Sequence, residues 1–131
     1  MSYIHIFQGA VVAGTASGSQ VSENTGNSPI SVTLNATNSE ISSPIKLGIR
    51  CDSGYTSVNN TVITPTGDSA LKWALSLDGI TFEAYGDPLT ITSVIDATNT
   101  IFYAKAKSTS DETPINDTLT DLVVTATIGA V

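Results

Sequence analysis

The chain is poor in the residues that carry chemistry. One histidine, His5, and one cysteine, Cys51, stand in 131 residues. A Ser-His or Cys-His mechanism needs a histidine base beside its nucleophile. His5 falls inside the first expected strand, and no G-x-S-x-G elbow exists for it to serve. A zinc site takes three or four His or Cys ligands, and one of each cannot make one. Basic residues are scarce too: 5 Lys plus Arg against 12 Asp plus Glu, a net charge of -7. Phosphate neutralisation requires clustered Lys and Arg, so this balance excludes nucleic acid as a partner. No apolar run approaches the about 18 residues of a membrane helix. The opening Met1-Ser-Tyr-Ile-His-Ile-Phe-Gln lacks the early Lys or Arg of a secretory signal. A lone cysteine excludes an intramolecular disulfide. A soluble protein, folded in a reducing cytoplasm and not bound to membrane, is expected.

What the chain does contain favours strands. Apolar residues make up 40% and charged residues only 13%, the latter about half the usual share. The polarity comes from 16 Ser, 19 Thr and 8 Asn. Val (10), Ile (13) and Thr (19) form about a third of the chain, and β-branched side chains fit pleated, half-buried surfaces better than helices. A domain of this length buries roughly two thirds of its unfolded surface and can hold a core unaided.

Period-2 alternation bounded by turn residues marks the strands. The clearest is Ile45 to Asp52, with Ile45, Leu47, Ile49 and Cys51 on one face and Lys46, Arg50 and Asp52 on the other. Cys51 therefore reads as a small core hydrophobe. Ile30-Ser-Val32-Thr-Leu34 and Leu89-Thr-Ile91-Thr alternate likewise, and Tyr3, His5 and Phe7 alternate with Ile4 and Ile6. Leu71 to Ser76, then Asp78-Gly79, then Ile80-Thr-Phe82 reads as a hairpin with a type I′ turn, which would put Trp73 and Phe82 on one face. Ile101 to Lys107 and Leu122 to Ile128 read as a final hairpin across the polar loop Ser108 to Thr120, with the apolar end near Val131 docked into a sheet or a neighbour. Gly9 to Ser28, with four glycines among Ala, Ser and Thr, reads as an arm or long loop, either ordering on a partner subunit or staying a disordered surface loop. The expected fold is an all-β, immunoglobulin-like β-sandwich of seven to nine antiparallel strands, with a jelly roll as the alternative. It divides into an N-terminal strand and Gly/Ser/Thr-rich arm at 1-28 and the sandwich at 29-131.

Candidate sites are few. Asp78, Glu83 and Asp87 lie near Tyr85 and Trp73, a set from which a sugar-binding or sugar-cleaving face can be built, although Asp in such a turn is common for backbone reasons alone. The loop Asp111 to Asp121 offers carboxylate and amide oxygens for calcium without matching the EF-hand pattern. Asn35, Asn59 and Asn116 begin N-glycosylation acceptor triplets, which an Asn- and Thr-rich chain generates by chance. No residue is assigned a catalytic, cofactor-binding or metal-binding role, and no cofactor is expected. Tyr55, Tyr85 and Tyr103 are the rings available to stack on sugars.

A Ser/Thr/Asn-rich acidic surface suits the exterior, whereas the missing signal and disulfides suit the cytoplasm. A virion protein, assembled in the host cytoplasm and released by lysis, satisfies both. The competing explanation is a mature fragment of an exported protein.

The segment Lys72-Trp73-Ala-Leu75-Ser76-Leu-Asp78-Gly79-Ile-Thr-Phe82-Glu-Ala-Tyr85-Gly86, followed by Asn99-Thr-Ile101-Phe-Tyr103-Ala-Lys105-Ala-Lys107, resembles small Ig-like structural proteins of tailed bacteriophages, over about Asn27 to Val131. The resemblance implies a non-enzymatic, oligomeric virion component. A capsid decoration protein bound to the major capsid protein outside the head is the first expectation, and a tail or baseplate component the second. A cell-surface or carbohydrate-binding module is the expectation from a different class.

Overall fold

Alternation from Ile45 to Cys51 builds the central strand of the larger sheet, and its neighbours follow from the same pattern. The structure, a computed structural model, describes residues 3–21, 44–66, 70–107 and 121–131. In chain order the strands are β1 (Ile4–Gln8), β2 (Ser19–Val21), β3 (Ile45–Cys51), β4 (Tyr55–Ser57), β5 (Thr61–Thr66), β6 (Trp73–Ser76), β7 (Leu89–Ile91), β8 (Thr100–Ala106), β9 (Asp121–Thr125) and β10 (Ile128–Ala130). A 3-10 turn over Ala70–Lys72 leads into β6. No described residue is in an α-helix.

The architecture is all-β and antiparallel. One sheet has the order β2-β1-β3-β8-β6, a second β7-β5-β9, and a short ribbon pairs β10 with β4. Register follows the side-chain period of two. Leu47 lies opposite Phe102, Ile45 opposite Ala104, Ile4 opposite Cys51 and Ile6 opposite Ile49, so one face of the large sheet is continuously apolar. The smaller sheet answers with Ile63, Leu89, Ile91 and Leu122, and all of these join one buried cluster with Trp73, Leu75 and Ile95. The result is sandwich-like, with a single core between the layers.

Several expectations change. Residues 80–82 form no strand: β8 pairs with one edge of β6, and the segment after Gly79 returns along the other edge with the N–H groups of Ile80 and Thr81 turned to the Asp78 carboxylate. The N–H of Glu83 donates to the Leu75 carbonyl at 2.9 Å and that of Gly86 to the Trp73 carbonyl at 2.8 Å. Trp73 enters the core, whereas Phe82 lies on the outer face with Lys105 over its ring. The two are therefore on opposite sides of the sheet. The final strands are not a hairpin either: β8 pairs with β3 and β6, while β9 pairs with β5 in the other sheet. The long expected last strand breaks at Ala126 and Thr127, and its end, β10, docks on β4. β5 was hidden by Pro65, which removes a ladder donor. Pro65 is tolerated because it lies beyond the reach of β7, whose register with β5 ends at Ile63.

The described part of the expected arm, residues 9–21, folds on its own chain. β2 pairs with β1, and β1 sits inside the large sheet against β3. The rest of that stretch, the boundary at residue 28 and the expected strand Ile30 to Leu34 lie outside the described residues.

Phe102 is fully buried where β8 crosses the core. Phe102→Ala is expected to destabilise the protein by about 3–5 kcal/mol, measured as a shift in the urea midpoint at unchanged slope. A loss under about 1 kcal/mol would contradict its central place in the packing.

Candidate docking surface

The inner face of the large sheet makes the core, and its outer face collects charge. Lys46 lies opposite Tyr103, Arg50 opposite His5 and Lys105 opposite Ala74, all on the side away from the buried cluster. Lys107 continues the same alternation, and its N–H donates to the carbonyl of Lys72 at 3.0 Å. The five basic residues of the chain thus belong to β3, the β8 segment and the entry to β6.

Two loops cover parts of this face. Residues 9–18 lie over β1 and β3. Gly48 leaves the space that Asn99 and Val11 fill: a Cβ there would stand 2.9 Å from Asn99 Oδ1 and 3.3 Å from Val11. The guanidinium of Arg50 rests on the Phe7 ring at 3.5 Å and donates to the Ser17 carbonyl (2.7 Å) and Asn99 Oδ1 (2.8 Å). Asn99 Nδ2 donates to the carbonyls of Ser17 and Val12 at 3.0 and 3.2 Å. The Asn99 backbone closes the clasp, donating to Thr15 O and accepting from Gly14 N–H.

Residues 77–86 cover the other border. The Ser76 hydroxyl accepts the N–H of Gly79 (2.9 Å) and lies 2.9 Å from Asp78 Oδ1 and 2.6 Å from the Thr81 carbonyl. Asp78 Oδ1 accepts the N–H groups of Ile80 and Thr81, both at 2.9 Å. These bonds to Ile80 and Thr81, and then that from Ser76, hold the Asp78 carboxyl below its ordinary pKa. Gly79 has φ +76 and sits on the Tyr103 ring, where a Cβ would stand 3.2 Å from ring carbons. The bonded turn leaves Leu77 and Ile80 outside, Ile80 at 84% exposure. Beyond it Phe82 and Tyr85 meet Lys105 and Lys107, whose Nζ atoms stand 4.4 and 4.3 Å from the respective ring centroids. Leu71, 74% exposed, borders Gly86.

The remaining candidates fall elsewhere. His5 Nε2 lies 3.2 Å from Asp52 Oδ1. Cys51 is buried, its thiol donating to the Ile95 carbonyl at 3.4 Å, and burial, followed by the charges of Asp52 and Asp96, raises its pKa. Asp78 is committed to its turn. Glu83 and Asp87 are exposed on the same loop, while Trp73 is in the core. The sugar-stacking tyrosines each have a ring neighbour: Tyr55 stacks on Tyr3 at 4.2 Å, Tyr85 carries Lys107 and Tyr103 carries Gly79. Val58, Asn59, Asn60, Thr92 and Val94 line a shallow, open concavity of about 410 Å³. In the triplet beginning at Asn59, that residue is exposed and Thr61 is buried. Asn35, Asn116 and the calcium-candidate loop from Asp111 to Thr120 lie outside the described residues; Asp121 opens β9. Among the described residues no group of three or more His, Cys, Asp or Glu could hold a metal ion.

No protein-family model matches the chain, and no curated protein matches it closely enough to count as a relative.

Two outcomes follow from these loops. Asn99→Ala leaves the partly buried carbonyls of Val12 and Ser17 and the Arg50 guanidinium short of a partner, and is expected to cost about 1–3 kcal/mol in urea titration and to speed proteolysis within residues 9–18. The depressed Asp78 pKa makes its contribution to stability complete above the ordinary carboxylate range and lost as pH falls through the lowered folded value. The Tm difference between wild type and Asp78→Ala is therefore expected to be largest near pH 7 and to shrink on acidification. A constant difference would contradict the carboxylate's role.

Proposed function

We propose that this chain is a non-enzymatic virion structural protein, a β-sandwich that decorates the outside of a tailed-phage head and stabilises the shell. The supporting observation is what the fold leaves exposed along the β6 border. Leu77 and Ile80 stand out on the hydrogen-bonded Asp78 turn and Leu71 on the 3-10 turn before β6, on the border that carries Lys105 and Lys107, on a chain whose polarity is otherwise largely Ser and Thr. Apolar groups exposed on a hydrogen-bonded turn suit insertion into another surface, because the turn's own bonds reduce the conformational freedom lost on contact. Repetition of such a contact by capsid symmetry adds up, and a ligand that binds only the assembled shell stabilises it by mass action. The acidic net charge opposes contact with packaged DNA and favours the exterior. The carbohydrate-binding reading draws less support, since each candidate tyrosine has one ring face occupied within the chain.

The test is addition of purified protein to expanded heads of the encoding phage, read by sedimentation and by capsid rupture temperature. Saturable binding and a higher rupture temperature are expected. Absence of association with heads would overturn the proposal, and antibody labelling confined to tails would replace it with a tail role.

A further inference from the structure

We propose that the stripe Leu71, Lys107, Lys105 and Ile80 is a docking face for a carboxylate-rich protein segment that carries apolar side chains between its acids. This deepens the decoration reading, on which it rests only in placing that segment on the particle.

Charge makes the first part of the case. The chain carries 12 acids and 5 bases, and its basic residues gather on the outer face of the large sheet and at the entry to β6. Asp52, Asp78, Glu83, Asp87 and Asp96 are the carboxylates whose side chains are described, and none of these five stands at ion-pair distance from Lys46, Lys105 or Lys107. Like-signed charges gathered on one face of an oppositely charged chain are complementary to an acidic surface.

Geometry makes the second. Lys105 and Lys107 are two residues apart on one face, hence about 7 Å apart along the strand, which matches alternate side chains of an extended partner. Their ammonium groups lie over Phe82 and Tyr85, so their positions are partly set before binding. Ile80 and Leu71 flank them as exposed apolar contacts, one on the Asp78 turn and the other against Gly86. A carboxylate partner fits better than a sugar or a nucleic acid. The lysines already occupy the ring faces on which a pyranose or base would stack, and three lysines on a chain of charge -7 give little phosphate neutralisation.

The experiment uses the full chain with an immobilised random copolymer of glutamate and tyrosine, alongside poly-L-glutamate, heparin and duplex DNA, each over a salt series. The copolymer is expected to bind more tightly than poly-L-glutamate. Lys105→Gln/Lys107→Gln should weaken copolymer binding about tenfold and flatten its salt dependence. Ile80→Ser should remove the preference for the copolymer while leaving the salt slope intact. Thr90→Glu/Thr125→Glu, exposed on the smaller sheet, changes net charge equally and should bind as wild type does; thermal melts confirm that each variant is folded. The proposal is overturned by no copolymer binding, by equal loss in both double variants, or by tighter binding to heparin or DNA. A salt-sensitive dimer of the chain alone, abolished by Lys105→Gln/Lys107→Gln, would make the occupant a second copy and overturn it as well. Heads that retain Lys105→Gln/Lys107→Gln as tightly as wild type would overturn the stripe's part in attachment and leave decoration standing. Copolymer binding without head binding would do the reverse.

Discussion

Everything in this fold is arranged around the two-sided use of β3. Its inward residues Leu47, Ile49 and Cys51 are buried in the core, and its outward residues Gly48 and Arg50 hold the loop that covers the opposite face. A half-buried strand usually gives one side to water. Here the absence of a side chain at Gly48 lets Asn99 and Val11 approach, and Arg50 spends its charge on two oxygens and an aromatic ring. With both faces committed and both edges paired, β3 leaves little freedom for β1 and β8.

That commitment explains how an acidic chain with few charges separates its surfaces. Inward alternation requires apolar residues on β3 and β8, so the basic residues on those strands emerge together on the other side. The loop 77–86 then converts a sheet border that would otherwise present an open ladder into one capped by Glu83 and Gly86. An uncapped edge is an aggregation hazard, and the turn that leads into the cap holds Ile80 and Leu77 outward. Stability of the border and exposure of the apolar tip thus come from one loop, the first through Glu83 and Gly86 and the second through Asp78.

Much of the architecture is legible in the residues. The alternation at 45–51 gives the strand, its inward face and the burial of Cys51, and the β-branched composition gives the class. The misread features share a cause. Asp78-Gly79 does make a tight turn, but Asp78 spends its carboxylate on the N–H groups of Ile80 and Thr81, so the returning segment first bonds the free edge of β6 at Glu83 and Gly86. Phe82 has the look of a core residue and instead meets Lys105 across the outer face. The Gly9–Gly18 stretch is rich in residues common in mobile loops, yet Asn99, more than eighty positions away, fixes it. No local signal marks Asn99 as a partner for that loop.

By itself the sequence determined the class, the inward and outward faces of its long strands and the poverty of catalytic groups, because side-chain period and composition are local properties. Only the tertiary structure decided which strands pair, that β8 and β9 part into different sheets, and that Lys105, Lys107, Leu71 and Ile80 share one border. Strand partners are chosen by competition among edges far apart in the chain, and that competition is settled by how the whole core packs.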